Sequence, residues 1–233
     1  MVQIINGAPV YTVRIKFRKI GSLQYISHLD LVRTMSKIVV RTKLPLWYTE
    51  GFNPKPKMVF AAPLSIGTES LCEYLDLRIT ERIAESEIKD RFNANVTDEM
   101  RITEVYYPEN PLTDLKWMAY TLKIKTNGAD EALAKKCAEV LDAPRIEVMK
   151  RTKKGDNIVD IRPLIKSASV GFSDGYINIA AVLSSDSCEY LNPEYIIKVL
   201  KSECGILSDE NLLNEGYSIL REKAFCADMS DFR

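Results

Sequence analysis

Between Val10 and Lys43 an apolar period of two gives way to a period near 3.6, and this ordered switch constrains the fold more than any single motif. From Val10 to Ile20, Val13, Ile15 and Phe17 alternate with Arg14, Lys16 and Arg18, the pattern of a half-buried strand with one apolar and one basic side. Gly21 breaks the run, and Ser27 with Asp30 three residues on makes a capping-box-like start, the carboxylate standing where Glu or Gln is usual. A helix over about 28–43 then buries Leu29, Val32, Met35, Ile38 and Val39. Arg33, Lys37 and Arg41 fall at i, i+4 and i+8 and form one basic ridge along it.

Leu44-Pro45 ends the helix, and the chain continues through a short extended run, Leu46 to Thr49, into GFNPKPK. Strand patterns follow at 58–62 and 72–80, a helix at 83–93 and a strand at 100–107. The order βαββαβ is the ferredoxin-like one, with two helices on one sheet face and the other face open. Its first and third strands are neighbours, so Arg14, Lys16 and Arg18 are expected beside Tyr74, Asp76 and Arg78, with a cross-strand pair to Asp76. Pro108 to Asp114 reads as a linker. Beyond it the pattern restarts: strand 117–125, helix 128–141, strands 145–151 and 176–183, a helix opened by Asn192-Pro193, and strand 217–223, with an extended insertion around VDIRPLI. The expectation is an α+β chain of two tandem ferredoxin-like halves with antiparallel sheets, 1–110 and 111–233, ending in a loosely held tail from Ala224.

Charge is distributed unevenly within a neutral total. Residues 1–60 carry ten Lys and Arg against Asp30 and Glu50, a balance of +8, and residues 61–110 carry five bases against eleven acids, or −6. No stretch approaches the roughly 18 consecutive apolar residues of a membrane span, and the first residues lack an export pattern, so a cytoplasmic protein without membrane association is expected. Cys72, Cys137, Cys188, Cys204 and Cys226 are scattered, without CxxC spacing. This argues for reduced thiols and against a structural zinc site or a self-contained iron–sulfur cluster. Neither metal nor cofactor is expected.

His28 is the sole histidine, so a multi-histidine metal site is impossible within the chain and any imidazole-dependent chemistry must use it. At a helix N-terminus the dipole favours the neutral ring, which can exchange protons near pH 7; the competing reading is local hydrogen bonding in the first turn. Pro54 and Pro56 stiffen the loop that carries Asn53, Lys55 and Lys57, which suits anion binding because ordering entropy is already lost on folding. If Leu46 to Thr49 is the strand after the helix, this loop returns to the helix start and His28, Glu50, Asn53 and Lys55 share one site. If the strand is 58–62 alone, the loop lies at the far end, near Arg41. The first arrangement is the working expectation. A second basic patch, KRTKK, includes Lys153 and Lys154, and Asp160 with Arg162 alternate to one side of VDIRP, where they could reach the N-terminal half as an ion pair, a structural pair being the favoured reading.

The run KIGSLQYISHLDLVRTMSKIVVRTKLPLWYTEGFNPKPKMVFAAPLSIGTESLCEYLDL, with VDIRPLI and ILREKAF, resembles the radical-SAM-linked protein family, a bacterial domain of unknown function. The resemblance spans most of the chain and implies an accessory role, since members occur alone or joined to a radical-SAM enzyme with a cobalamin-binding-type region. The cluster motif of that enzyme is absent here, and Lys55 stands where the family often has His, which keeps the site cationic. By fold analogy alone, the chain is also distantly similar to ferredoxin-like RNA-processing proteins. Three functions follow as expectations: an RNA-binding module whose basic N-terminal surface and KRTKK turn neutralise phosphates; an enzyme acting on RNA or a phosphorylated metabolite, with His28 as acid or base and Lys55 stabilising negative charge; or a subunit docking on a separately encoded radical-SAM enzyme. Oligomeric state is not legible.

Overall fold

A short strand, β1 (Val2–Ile5), runs antiparallel to the start of β2 (Ala8–Lys19), the strand that the alternation marks. Gly21 then opens a 3-10 turn, and Ser27 caps α1 (His28–Arg41). Next come β3 (Met58–Phe60), β4 (Thr68–Ile79), α2 (Glu85–Asn93) and β5 (Ile102–Tyr106). In space the strands lie in the order β5-β2-β4-β3, every pair antiparallel. The structure, a computed structural model, describes residues 2–5, 8–152, 155–186, 189–208 and 214–233.

The core follows from the two periods. Val13, Ile15 and Phe17 of β2 and Leu75, Leu77 and Ile79 of β4 meet Leu31, Met35, Ile38 and Val39 of α1, with Ile88 and Phe92 of α2 completing the layer. Burying each such side chain contributes roughly 1.5–3 kcal/mol before entropy is subtracted. Leu29, expected inside, is 65% exposed, because it points away from the stripe that Leu31 and Met35 define. These elements and Asp231–Arg233 form one compact unit with Met1–Leu115, and Lys116–Ser230 forms a second.

The second unit contains β6 (Trp117–Lys125), α3 (Glu131–Asp142), β7 (Glu147–Thr152), β8 (Gly155–Asp160), β9 (Ile165–Ser173), β10 (Tyr176–Ser184), α4 (Glu194–Cys204) and β11 (Gly216–Phe225). Its sheet has the order β11-β6-β10-β9, again antiparallel throughout. The run expected as the second sheet strand, 145–151, is not in that sheet: β7 pairs with β8 as a separate two-stranded ribbon. β9 takes the place instead. Its sequence, IKSASVGFS, is built from small and polar residues that suit a half-covered edge and give little apolar signal.

Two further expectations change. The break between units falls after Leu115 rather than at 110. The tail from Ala224 is not loose, since β11 runs to Phe225 and Phe232 is 3% exposed. Among the described residues the class is mixed α+β, with mostly antiparallel sheets and four helices.

Candidate nucleic-acid interface

The basic side of β2 does not form an open cationic face. Arg14, expected to bind anions, is completely buried. Its Nε and Nη2 donate to the two carboxylate oxygens of Asp76 at 2.7 and 2.9 Å, as the β2–β4 register places Arg14 opposite Asp76. Nη2 also donates to the Asn110 carbonyl at 2.9 Å and Nη1 to the Arg233 carbonyl at 3.2 Å. The Phe232 ring closes the site, with the guanidinium carbon 4.7 Å from its centroid and the Tyr74 ring edge-on to it at 5.1 Å. Burial of this surroundings pushes the Tyr74 hydroxyl far above its ordinary pKa. Lys16 pairs with Glu104 across β2 and β5 at 2.6 Å, and Arg18 Nε donates to the Asp98 carbonyl at 2.6 Å. The strand bases are therefore each engaged by a partner from the acid-rich segment that follows, Arg14 buried and Lys16 and Arg18 half-buried.

The ridge on α1 remains in water. Arg33, Lys37 and Arg41 are exposed, with Leu29 on the same i, i+4 line and Val40 beside them. Arg33 contacts Asp30 at 3.2 Å but keeps 72% of its side chain exposed. At the helix start the Ser27 hydroxyl accepts from the Asp30 N–H at 3.1 Å and donates to the Asp30 carboxylate at 2.7 Å, and this second bond holds the Asp30 carboxyl below the usual carboxylate range. His28 packs edge-on against Phe60, ring centroids 5.4 Å apart. That contact gives the imidazole a packing role at the helix start.

The GFNPKPK segment forms the turn of a small hairpin. Trp47 to Thr49 and Lys55 to Lys57 are its arms: the Thr49 N–H donates to the Lys55 carbonyl at 2.9 Å, the Lys55 N–H to Thr49 Oγ1 at 3.1 Å, and the Lys57 N–H to the Trp47 carbonyl at 3.1 Å. Tyr48 and Pro56 bridge between them. The base is fixed to β4, with Trp47 donating to Arg78, Arg78 to Lys57 and Thr80 to Pro45, and the Arg78 guanidinium stacks on the Trp47 ring at 5.7 Å. Gly51, at φ +120°, takes a backbone conformation that L side chains rarely adopt and so lets the tip close. Glu50, Phe52, Asn53 and Lys55 are exposed at the tip and Lys57 is half-buried at the base.

The hairpin base and the ring beneath His28 meet β4 at different points. The hairpin is anchored at the Ile79 end of β4, whereas His28 lies on Phe60, which pairs with Leu75. Three residues of strand separate Leu75 from Arg78, about 10 Å. What the hairpin does adjoin is the C-terminal end of the ridge, since Thr42 to Leu46 lead straight from α1 into its base. Phe52, fully exposed at the tip, carries no signal of its own in the sequence, and neither does Tyr48; only their place between a helix end and the GFNP turn could have marked them.

Asp160 and Arg162 serve the base of the β7–β8 ribbon. β8 ends at Asp160 and a 3-10 turn begins at Arg162, so the two side chains do not alternate along one strand. Asp160 Oδ1 instead accepts the Ile146 and Arg162 N–H groups at 2.9 and 3.0 Å, which holds its carboxyl below the usual range. Arg162 Nη1 donates to the Ile165 carbonyl at 2.9 Å. Both residues pin the ribbon to the second unit. Lys153 and Lys154 lie outside the described residues. Among the described residues no cluster of three or more His, Cys, Asp or Glu side chains could hold a metal ion, and no helix is long and apolar enough to cross a membrane.

Fold and site together define an α+β protein that presents an exposed cationic helix ridge and hairpin. The sequence pattern of one family, described as "Uncharacterized protein conserved in bacteria (DUF2344)", matches residues 12–193, and the chain belongs to that family. No curated protein matches the chain. Among solved structures it is similar to a chain in the crystal structure of a Cbf5-Nop10-Gar1 complex, at 10% identity and a TM-score of 0.48, over 91% of this chain and 48% of that one. The chain thus spans about half the length of the solved chain it matches.

Proposed function

We propose that this protein is an RNA-binding module that meets phosphates with the outer ridge of α1 and the hairpin beside it. The observation that carries this reading is that Arg33, Lys37 and Arg41 stay exposed in one line leading to Lys55 and Lys57, while Arg14, Lys16 and Arg18 are engaged within the fold. Cations fixed on a helix and a stiff hairpin neutralise a polyanion with little further ordering. The strand orders support reading both units as ferredoxin-like halves, the second with the β7–β8 ribbon inserted. An accessory role beside a separately encoded radical-SAM enzyme, in the cytoplasm, belongs to the same proposal and rests on the sequence resemblance.

Titration of the whole chain with transcribed RNA at several salt concentrations tests the reading. Affinity is expected to fall steeply as salt rises, and reversing the charge at Lys37 and Arg41 is expected to remove most of it. No binding at low salt, or binding indifferent to salt, sinks the proposal. The packing of His28 on Phe60 sets the rival reading its own test: His28→Ala is expected to lower stability and leave RNA affinity within about twofold, whereas lost turnover of an RNA substrate at unchanged stability would favour acid–base chemistry.

A further inference from the structure

Phe52 is fully exposed, at 112% of its reference area, on the tip of the hairpin, and Tyr48 on the adjoining arm is 42% exposed. An aromatic ring held in water costs free energy in the free protein, since burying such a side chain is favourable. The support is rigid: the Thr49 and Lys55 hydrogen bonds close the loop, and Pro54 and Pro56 fix their own φ. The surroundings are cationic. Lys55 lies three residues from Phe52, Lys57 and Arg78 stand at the base, and Glu50 is the single acid between Trp47 and Lys57.

Resting on the RNA-binding reading above, we infer that Phe52, with Tyr48 beside it, is a base-stacking residue, and that the ligand of this surface is single-stranded RNA. An exposed ring beside lysines offers an unpaired nucleotide both of its needs, a flat apolar partner for the base and a cation for the phosphate. A duplex presents no free base face and can use only the cations. An acidic protein partner would use the same cations, but its recognition would not depend on nucleotide strandedness.

The test uses fluorescence anisotropy of the full chain with a labelled twelve-nucleotide oligouridylate and a twelve-base-pair RNA duplex, each at two salt concentrations. Phe52→Ala is expected to weaken single-strand binding about tenfold, to change duplex binding by less than twofold, and to leave the salt slope unaltered. Phe52→Trp is expected to bind at least as well as wild type and to show quenched emission with the single strand. Because the ring packs on nothing, both variants are expected to melt with wild type, so any loss is not one of folding. Three outcomes overturn the inference. Unchanged single-strand affinity in Phe52→Ala, with wild-type binding still dependent on Lys37 and Arg41, removes stacking and leaves RNA binding standing. No binding of either RNA by wild type at low salt removes both readings together. Capture of protein from ribonuclease-treated extract that depends on Phe52, with RNA affinity unchanged, assigns the tip to a protein contact.

Discussion

Arg14 shows how a residue that reads as surface charge becomes structural. Its guanidinium is desolvated, held in a fork by Asp76 and capped by Phe232. Removing one partner of such a pair leaves an uncompensated buried charge, so Asp76→Asn is expected to lower unfolding free energy by about 3–5 kcal/mol. Phe232→Ala is expected to cost about as much, through the lost ring and the water then admitted to Arg14. Urea denaturation of both variants checks this, and a change below about 1 kcal/mol in either contradicts the assignment. Asp30 yields a prediction of opposite kind. Its folded pKa is lowered, chiefly by the Ser27 hydroxyl, so its contribution is full above the unfolded carboxylate value and is lost as pH falls through the lowered folded one. Asp30→Asn is expected to flatten that part of the acid limb of stability. The alternation of Val13, Ile15 and Phe17 with three bases told correctly which side of β2 meets the helices, and the pairing of Arg14 with Asp76 followed from strand order. That this side is covered was not legible, because Phe232 comes from the opposite end of the sequence.

At the scale of elements, α1 and the hairpin differ in how their sequences encode them. Ser27, the 3.6-residue stripe and Pro45 mark the helix locally, so its limits were readable. The hairpin depends on contacts with Arg78 in β4 and Thr80 just past it, which no local pattern announces, so which end of the helix it adjoins was not legible. β9 was missed because an edge strand tolerates residues as small as Ser and Gly. Gly51→Val is expected to strain the tip, since a β-branched residue at φ +120° costs about 1–3 kcal/mol, and to perturb amide signals from Trp47 to Lys57 while the α1 signals stay in place. In the second unit, burial and a hydrogen bond shared with Cys204 push the Cys137 thiol up to about 12. A thiol with a raised pKa is protonated, and so poorly nucleophilic, throughout the neutral range. Iodoacetamide at pH 7.5 is therefore expected to label Cys137 only after denaturation, as read by peptide mass.

For the whole molecule, the two opposed charge runs between residues 1 and 110 are neighbours in space rather than separate regions. Lys16 meets Glu104 and Arg14 meets Asp76, so two charges of each run cancel within one sheet. This sets the scale of RNA binding. Five side chains, Arg33, Lys37, Arg41, Lys55 and Lys57, give a slope of log affinity against log salt of roughly −3.5, where ten bases would give about −7. A measured slope near the larger value would show that the strand bases reach phosphate after all.

Phe232 and Arg233 also bear on how the protein is made. The first unit includes Asp231–Arg233, and Arg14 stays without its aromatic cover until some two hundred more residues have been added. Until then the Arg14 and Tyr74 contacts to Phe232 and the Arg14 hydrogen bond to the Arg233 carbonyl cannot form. An excised fragment ending at Leu115 is therefore expected to keep the Arg14–Asp76 pair but to expose it to water.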